Sequence, residues 1–487
     1  MSAATPRKSQ NDDSLNWMAD FPVVFMAVGI FVMMIGIFAQ RISHPYDLEW
    51  MEGGMLLHGY RVQAGEGLYV IPSSEFIPFI YTPLYSWLLG LGGKIFGMSY
   101  ALGRGLSVLG SLAGAAALVA AVRGEKGSSA LGLGTAALFL TTWDESGTFM
   151  DLVRTDGVLI GLLGWALVSI RHGWIRTGGM LLVLAFMAKH SVAIFGLPGI
   201  IWIGHRWGWT GVKRFLFWCF LPAMAFLEWM VLEGDGLFLC YILEAPSTHP
   251  FVYERFYPGT PTELYEALPW TTRATGAVTI FALGAVVYGW TLRKKWTVWA
   301  PGFVRHWPTR MGPGIYWGSQ AALILLMCMV MRGHHGGYLN VLMPGHWMLA
   351  ALAGMTLAGL QRWLPWIPIR LGVAVLLCGQ LWQGSQWTKN GKLTSVDVWI
   401  PTEGDVVGGD AVVAQVSDIP GPVLAPWYPW IPVQSGKRPY FHLIALWDIM
   451  HEGSPLRPYG RAVREDIKSQ RWQAILGISP SKSLRYG

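Results

Sequence analysis

Apolar residues come in long runs separated by short polar stretches, near 21–40, 101–122, 128–142, 157–170, 174–188, 190–204, 214–233, 274–292, 314–331, 343–360 and 370–385. A helix needs about 20 consecutive apolar residues to cross a bilayer, so the shorter runs have ends uncertain by several positions. The pattern predicts about eleven transmembrane helices, the first an uncleaved anchor after a polar stretch over 1–20. One further run, 81–97, carries four glycines with Tyr81, Tyr85 and Trp87, and reads as an interfacial or re-entrant helix.

The placement of 81–97 sets the orientation of everything after it. If it does not span, about sixteen basic residues fall in cytoplasmic loops: Arg7, Lys8, Arg123, Lys126, Arg171, Arg176, Arg206, Lys213, Arg214, Arg293, Lys294, Lys295, Arg305, Arg310, Arg362 and Arg370. Were it to span, those clusters would lie outside, against the rule that cytoplasmic loops are positive. The expected fold is therefore mainly α, with a cytoplasmic N-terminal tail (1–20) and a transmembrane domain (21–385). External loops are expected at 41–100, 143–156, 234–272 and 332–342. The stretch 386–487 loses the membrane composition and is expected to form a small external α/β domain.

Composition agrees. The chain of 487 residues is 53% hydrophobic and 13% charged, whereas a soluble domain carries about 25% charged residues. Its 27 Trp suit the headgroup level of a bilayer. The net charge of +7 comes from short basic loops and is a topology signal, so no nucleic-acid partner is expected. Cys219, Cys240, Cys328 and Cys378 lie in or beside apolar runs, as packing residues do. Walker A, Rossmann and Asp-x-Asp signatures are absent from the sequence.

Acids and histidines gather in the loops expected outside. Asp47, Glu49 and Glu52 crowd the end of the first span; were 48–62 helical, Glu49 and Glu52 would share one face. They could serve as a general base with its partner, or simply stabilise a helix start through its dipole. Asp144, Glu145, Asp151, Arg154 and Asp156 form a second group, where Arg154 and Asp156 either act on a substrate or cap the next helix. Lys189 beside His190 could hold a phosphate or snorkel to headgroups. Arg332, His334, His335, Tyr338 and Asn340 form a fourth group on a Gly-rich turn, whose spacing is a weak match to a zinc site. The loop 234–272 adds Glu244, His249, Glu254, Arg255, Glu263 and Glu266.

The run Met51-Glu52-Gly53-Gly54, then Arg61, Gly65, Gly67-Leu68-Tyr69, Tyr81-Thr82-Pro83-Leu84-Tyr85 and Ile95-Phe96-Gly97, resembles the GT-C glycosyltransferases. The resemblance is to the bacterial branch related to protein O-mannosyltransferases and the aminoarabinose transferase of lipid A. It continues through Arg104, Ser107, Arg154-Thr155-Asp156, Lys189 and Tyr338-Leu339 ahead of Pro344, covering roughly 20–360. It implies an inverting enzyme of the bacterial inner membrane that takes a sugar from a polyprenyl-phosphate donor; separately, the paired acids Glu49 and Glu52 could bind a divalent metal ion. The acceptor would be an envelope glycan, lipid or protein. It also implies an acid of the first loop as base: Glu52 first, then Glu49, with Asp156 as a further acid. Arg154, Lys189, Arg332 and Arg61 are the expected phosphate ligands. Asp47, His190, His334, His335, Tyr338 and Asn340 are the expected substrate contacts. The chain departs from the family where Met51 stands at the usual Asp and Thr82-Pro83 at the usual Pro-Pro. The alternatives are a transporter of lipid-linked glycans, or a non-catalytic scaffold of envelope polysaccharide assembly.

Overall fold

The computed structural model describes residues 10–267, 312–363 and 367–477. The expected span at 274–292 and the basic residues from Arg293 to Arg310 lie outside them, as do Arg7 and Lys8.

The first helix, α1 (Gln10–Ile42), shows why the chain belongs in a bilayer. Ala19, Val23, Ala27, Ile30, Met34, Ile37 and Phe38 are buried at helical spacing, yet Phe21, Phe25, Val28, Val32 and Ile35 on the other faces are exposed. A helix apolar on every side is stable only where its outer face meets lipid. Among the described residues, six stretches are long and apolar enough to cross a membrane: Trp17–Ile42, Tyr100–Gly124, His190–Glu233, Gly314–Gly333, Leu339–Arg362 and Ile367–Gln386. The chain is thus a mainly helical, multi-pass membrane protein.

Helices α2 (Glu52–Ala64) and α3 (Leu84–Phe96) occupy the first loop. At 13 residues, α3 extends about 20 Å, short of the roughly 30 Å hydrocarbon core. It lies against α2, with Leu89 beside Gly59 and Val62 beside Gly90. Next come α4 (Tyr100–Gly124), α5 (Ser129–Leu140), α6 (Asp156–His172), α7 (Ile175–Ala188) and α8 (Leu197–Glu233). Helices α4 and α6 meet backbone to backbone. A Cβ on Gly157 would fall 2.2 Å from the Ser107 carbonyl oxygen, and one on Gly110 would fall 2.5 Å from Gly157. Within α8 the chain turns at Gly208, whose φ of 63° is open to glycine. A methyl group on Gly204 would lie 3.2 Å from Val212; in an unbroken helix residues eight apart are about 12 Å distant. The helix therefore folds back there.

The remaining labelled helices are α9 (Thr260–Ala267), α10 (Gly312–Gly333), α11 (Met343–Trp363) and α12 (Ile367–Gln386), followed in the tail by α13 (Glu403–Asp418), α14 (Leu443–Ile449) and α15 (Arg457–Lys468). The tail is more helical than the α/β expectation. Its only strands among the described residues are β1 (Val423–Leu424) and β2 (Ala474–Ile475), paired in parallel. Nor does it stand apart. Leu424, Trp430, Tyr440, Phe441 and Ala445 share one buried apolar cluster with Met51, Met55, Leu56 and Phe79 of the first loop. Tyr46 donates to Asp410 at 2.5 Å, and Gln434 Nε2 donates to the Pro45 carbonyl at 2.8 Å.

Candidate active site at the junction of two loops and the tail

The three acids of the first loop have three different environments. Helix α2 starts at Glu52, so Glu49 precedes it and the two do not share a helical face. Asp47 Oδ1 accepts from the Gly53 amide at 2.7 Å, satisfying an otherwise unpaired N–H at the helix start, and its Oδ2 accepts from the Tyr100 hydroxyl at 2.7 Å. Burial, reinforced by the nearby Glu52 charge, pushes the Asp47 carboxyl up to about 8.

Glu52 is 0% exposed and serves as a structural hub. Arg104 of α4 donates from Nε at 2.9 Å and from Nη2 at 2.7 Å. The amides of Leu48 (2.6 Å), Glu49 (3.3 Å) and Val153 (2.7 Å) also donate to its two oxygens. Burial works against its charge, but Arg104 and the backbone donors outweigh it and hold the carboxyl below the ordinary range. Those donors occupy its lone pairs and leave no acceptor direction toward a substrate.

Glu49 is built differently. Its Oε2 accepts from Arg154 Nη1 at 3.2 Å and from the Met51 amide at 3.2 Å, while Oε1 has no hydrogen-bond partner among the described residues. Burial pushes this carboxyl up to about 7, with the Arg154 charge pulling the other way. Arg154 also meets the Met51 sulfur from Nη1 at 2.7 Å and donates from Nη2 to the Tyr81 hydroxyl at 2.8 Å. Its Nε is buried without a partner. Met51, standing where the family resemblance leads one to expect an acid, is thus a packing neighbour of the guanidinium. Arg154 is carried at the foot of α6 by two side-chain ties: Ser107 Oγ donates to its carbonyl at 2.8 Å, and Thr155 Oγ1 to the Ala188 carbonyl at 2.8 Å.

Beside this lies a second group. Lys189 Nζ sits 2.8 Å from Asp156 Oδ1, and Asn340 Nδ2 donates to both oxygens of Asp156 at 3.0 and 3.1 Å. Lys189 and Asn340 also line a cavity of about 20 Å³ with Ser191 and Phe195. The structure therefore brings together Glu49, Arg154, Asp156, Lys189 and Asn340, with Tyr338 against Phe149 at a ring distance of 5.8 Å.

Other expected residues are engaged elsewhere. Arg61 is held by Glu66 at 2.6 Å and by the Gly67 carbonyl, and Arg332 by Glu263 at 2.7 Å and the Gly337 carbonyl. Neither guanidinium is free in the way Arg154 Nε is. His334 and His335 pack with His249, His451 and Trp447; His335 stacks on Trp447 at 4.6 Å and His249 lies 4.5 Å from His451. His190 has a buried Nδ1 without a partner. No group of three or more His, Cys, Asp or Glu is arranged to hold a metal ion among the described residues.

Sequence reasoning missed what the tail contributes. His442, at the start of α14, is within 2.8 Å of the Trp50 carbonyl through Nε2, and its ring lies 5.3 Å from the Trp50 ring. Trp427 packs on Trp50 at 5.0 Å. Asp448 of α14 is 5% exposed and accepts no hydrogen bond through its carboxylate among the described residues; His249 Nε2 is 3.7 Å from its Oδ1. Burial drives the Asp448 carboxyl well above its ordinary range, opposed by Arg154. The only sequence signal for these residues was the Pro- and Trp-rich run Ala425–Pro432, which carries no spacing rule.

The multi-pass helical fold is shared with a solved membrane protein, ArnT. The chain superposes on ArnT from Cupriavidus metallidurans in the apo state with a TM-score of 0.54 and 14% identity, covering 83% of each chain. ArnT from Cupriavidus metallidurans bound to undecaprenyl phosphate aligns with a TM-score of 0.47 and 14% identity, over 92% of this chain and 78% of that one. No family model and no curated protein matches the sequence.

Proposed function

We propose that the protein is an inverting glycosyltransferase that takes a sugar from a polyprenyl-phosphate donor, with Glu49 as the base. The observation that carries this reading is the Glu49–Arg154 pair: a buried carboxyl with one free oxygen, 3.2 Å from a guanidinium whose Nε lacks a partner. A fold shared with apo ArnT supports it.

In this reading Glu49 Oε1 accepts the proton of the acceptor hydroxyl as that oxygen attacks the anomeric carbon. The bond from the anomeric carbon to the donor phosphate oxygen breaks, configuration inverts, and polyprenyl phosphate leaves with its charge compensated by Arg154 Nε and Lys189. Tyr81, donated to by Arg154, fixes the guanidinium plane. Glu52 and Arg104 take a positioning role, because the same carboxylate binds amides of the first loop (Leu48, Glu49) and the second (Val153). Asp156 holds Lys189 and Asn340 in register. The enzyme would work in a bacterial inner membrane with its N-terminus cytoplasmic and its tail external, where no nucleotide sugar is at hand.

Incubating the purified protein with radiolabelled polyprenyl-phosphate sugars and a membrane extract tests the class of activity. Label in a new covalent product is the expected outcome. Label that only redistributes across the bilayer, with no new bond, would establish transport and refute transfer.

A further inference from the structure

Helix α15 of the tail (Arg457–Lys468) carries a basic face that the described residues leave largely unpaired. Its bases are Arg457, Arg461, Arg464 and Lys468. At 3.6 residues per turn these four fall within about 60° of arc, a ridge about 16 Å long. The side of the helix turned to the protein carries the buried Gly460 and Val463, with Gly460 packed on Leu446 and Met450. Arg457, Arg461 and Arg464 make no ion pair among the described residues, and Arg457 Nε is buried without a partner. Lys468 meets Glu465 at 2.8 Å, an exposed pair that contributes little, and Asp466 turns to Arg471 instead.

The fold brings the start of this ridge to the edge of the membrane. Span α10 ends at Gly333, whose carbonyl accepts from the Val252 amide at 2.7 Å. Two residues on, the His335 amide donates to the Pro250 carbonyl at 3.1 Å. The adjoining His249 ring lies 4.5 Å from the ring of His451, six residues before Arg457. Phe251, Tyr253 and Tyr257 of the same loop are exposed, as aromatic residues at headgroup depth are. Each Lys or Arg held near an anionic bilayer surface is attracted to it, over a range of about 10 Å in 0.1 M salt. The tail is tethered beside the bilayer, so headgroups meet the ridge at high effective concentration, whereas a soluble polyanion must be captured from dilute solution. We infer that α15 is a docking face for anionic phospholipid headgroups of the leaflet on the tail's side, and that this contact seats the tail over the first loop. The lipid is bound and not consumed, so the inference stands apart from the transfer reading.

Hydrogen exchange over residues 457–468 of the full-length protein tests it, in nanodiscs of phosphatidylcholine with and without about 30% phosphatidylglycerol. In the anionic discs exchange is expected to slow about tenfold at low salt. It should return to the neutral-disc rate at about 1 M salt, where the Debye length is about 3 Å. The triple variant Arg461→Gln, Arg464→Gln, Lys468→Gln should lose the slowing, and Arg461→Lys with Arg464→Lys should keep it. Both leave the buried side of the helix untouched, and unchanged exchange in α14 shows the tail folded in each. Equal exchange in the two discs, or slowing that persists in the glutamine variant, overturns the inference. Slowing by soluble polyphosphate in neutral discs, with none from phosphatidylglycerol, also overturns it and gives the ridge to a soluble polyanion.

Discussion

Three carboxylates within six residues divide the work at the residue scale, and the division follows from what each one touches. Asp47 caps, Glu52 ties two loops to α4, and Glu49 alone keeps a free oxygen. Removing the Glu52 charge leaves Arg104 buried without its partner, which costs about 3–5 kcal/mol. Glu52→Gln should therefore lower the thermal unfolding temperature in detergent by more than Glu49→Gln does, because Arg154 keeps its bond to the Tyr81 hydroxyl and the nearby charge of Asp156 when Glu49 is neutralised. A base must be deprotonated to act. Because burial raises Glu49 to about 7, kcat/KM should climb with pH below neutrality and level off above it. A pH profile that is flat from 5 to 8 would argue against Glu49. The sequence showed these acids but not their partners. Glu52 and Arg104 are 52 positions apart, and only the packing of α2 on α4 reveals that the better-matching glutamate is already fully bonded.

At the scale of elements, the site is aimed by the contact between α4 and α6. Gly110 and Gly157 let the helices touch, which seats Arg104 under Glu52 and starts α6 at Asp156 beside Lys189. Gly157→Leu would drive a side chain into the Ser107 carbonyl, an overpacking that costs about 1–3 kcal/mol or more. Circular dichroism melts should register the loss, and transfer should fall with it because Arg154 shifts. Hydrophobic runs marked the helices well, since a bilayer imposes length and apolarity on a sequence directly. Their junctions were harder to see. The turn at Gly208 inside α8 and the non-helical stretch before Glu52 depend on backbone angles and loop contacts that periodicity does not encode.

Across the whole molecule, the tail packs against the first loop. Its apolar residues continue the first loop's cluster, so its fold could not be read from its own sequence, which has few strong strand or helix signals. Tyr46→Phe combined with Gln434→Ala removes two of the polar ties between tail and first loop. Limited proteolysis should then cut the tail faster than in the wild type while the membrane helices stay protected. The central claim concerns chemistry at Glu49, and transfer of a radiolabelled sugar from polyprenyl phosphate by purified wild-type and Glu49→Gln proteins tests it most directly. The account predicts a loss of about 100- to 10,000-fold in kcat for Glu49→Gln with the fold intact; transfer at the wild-type rate in that variant would contradict it.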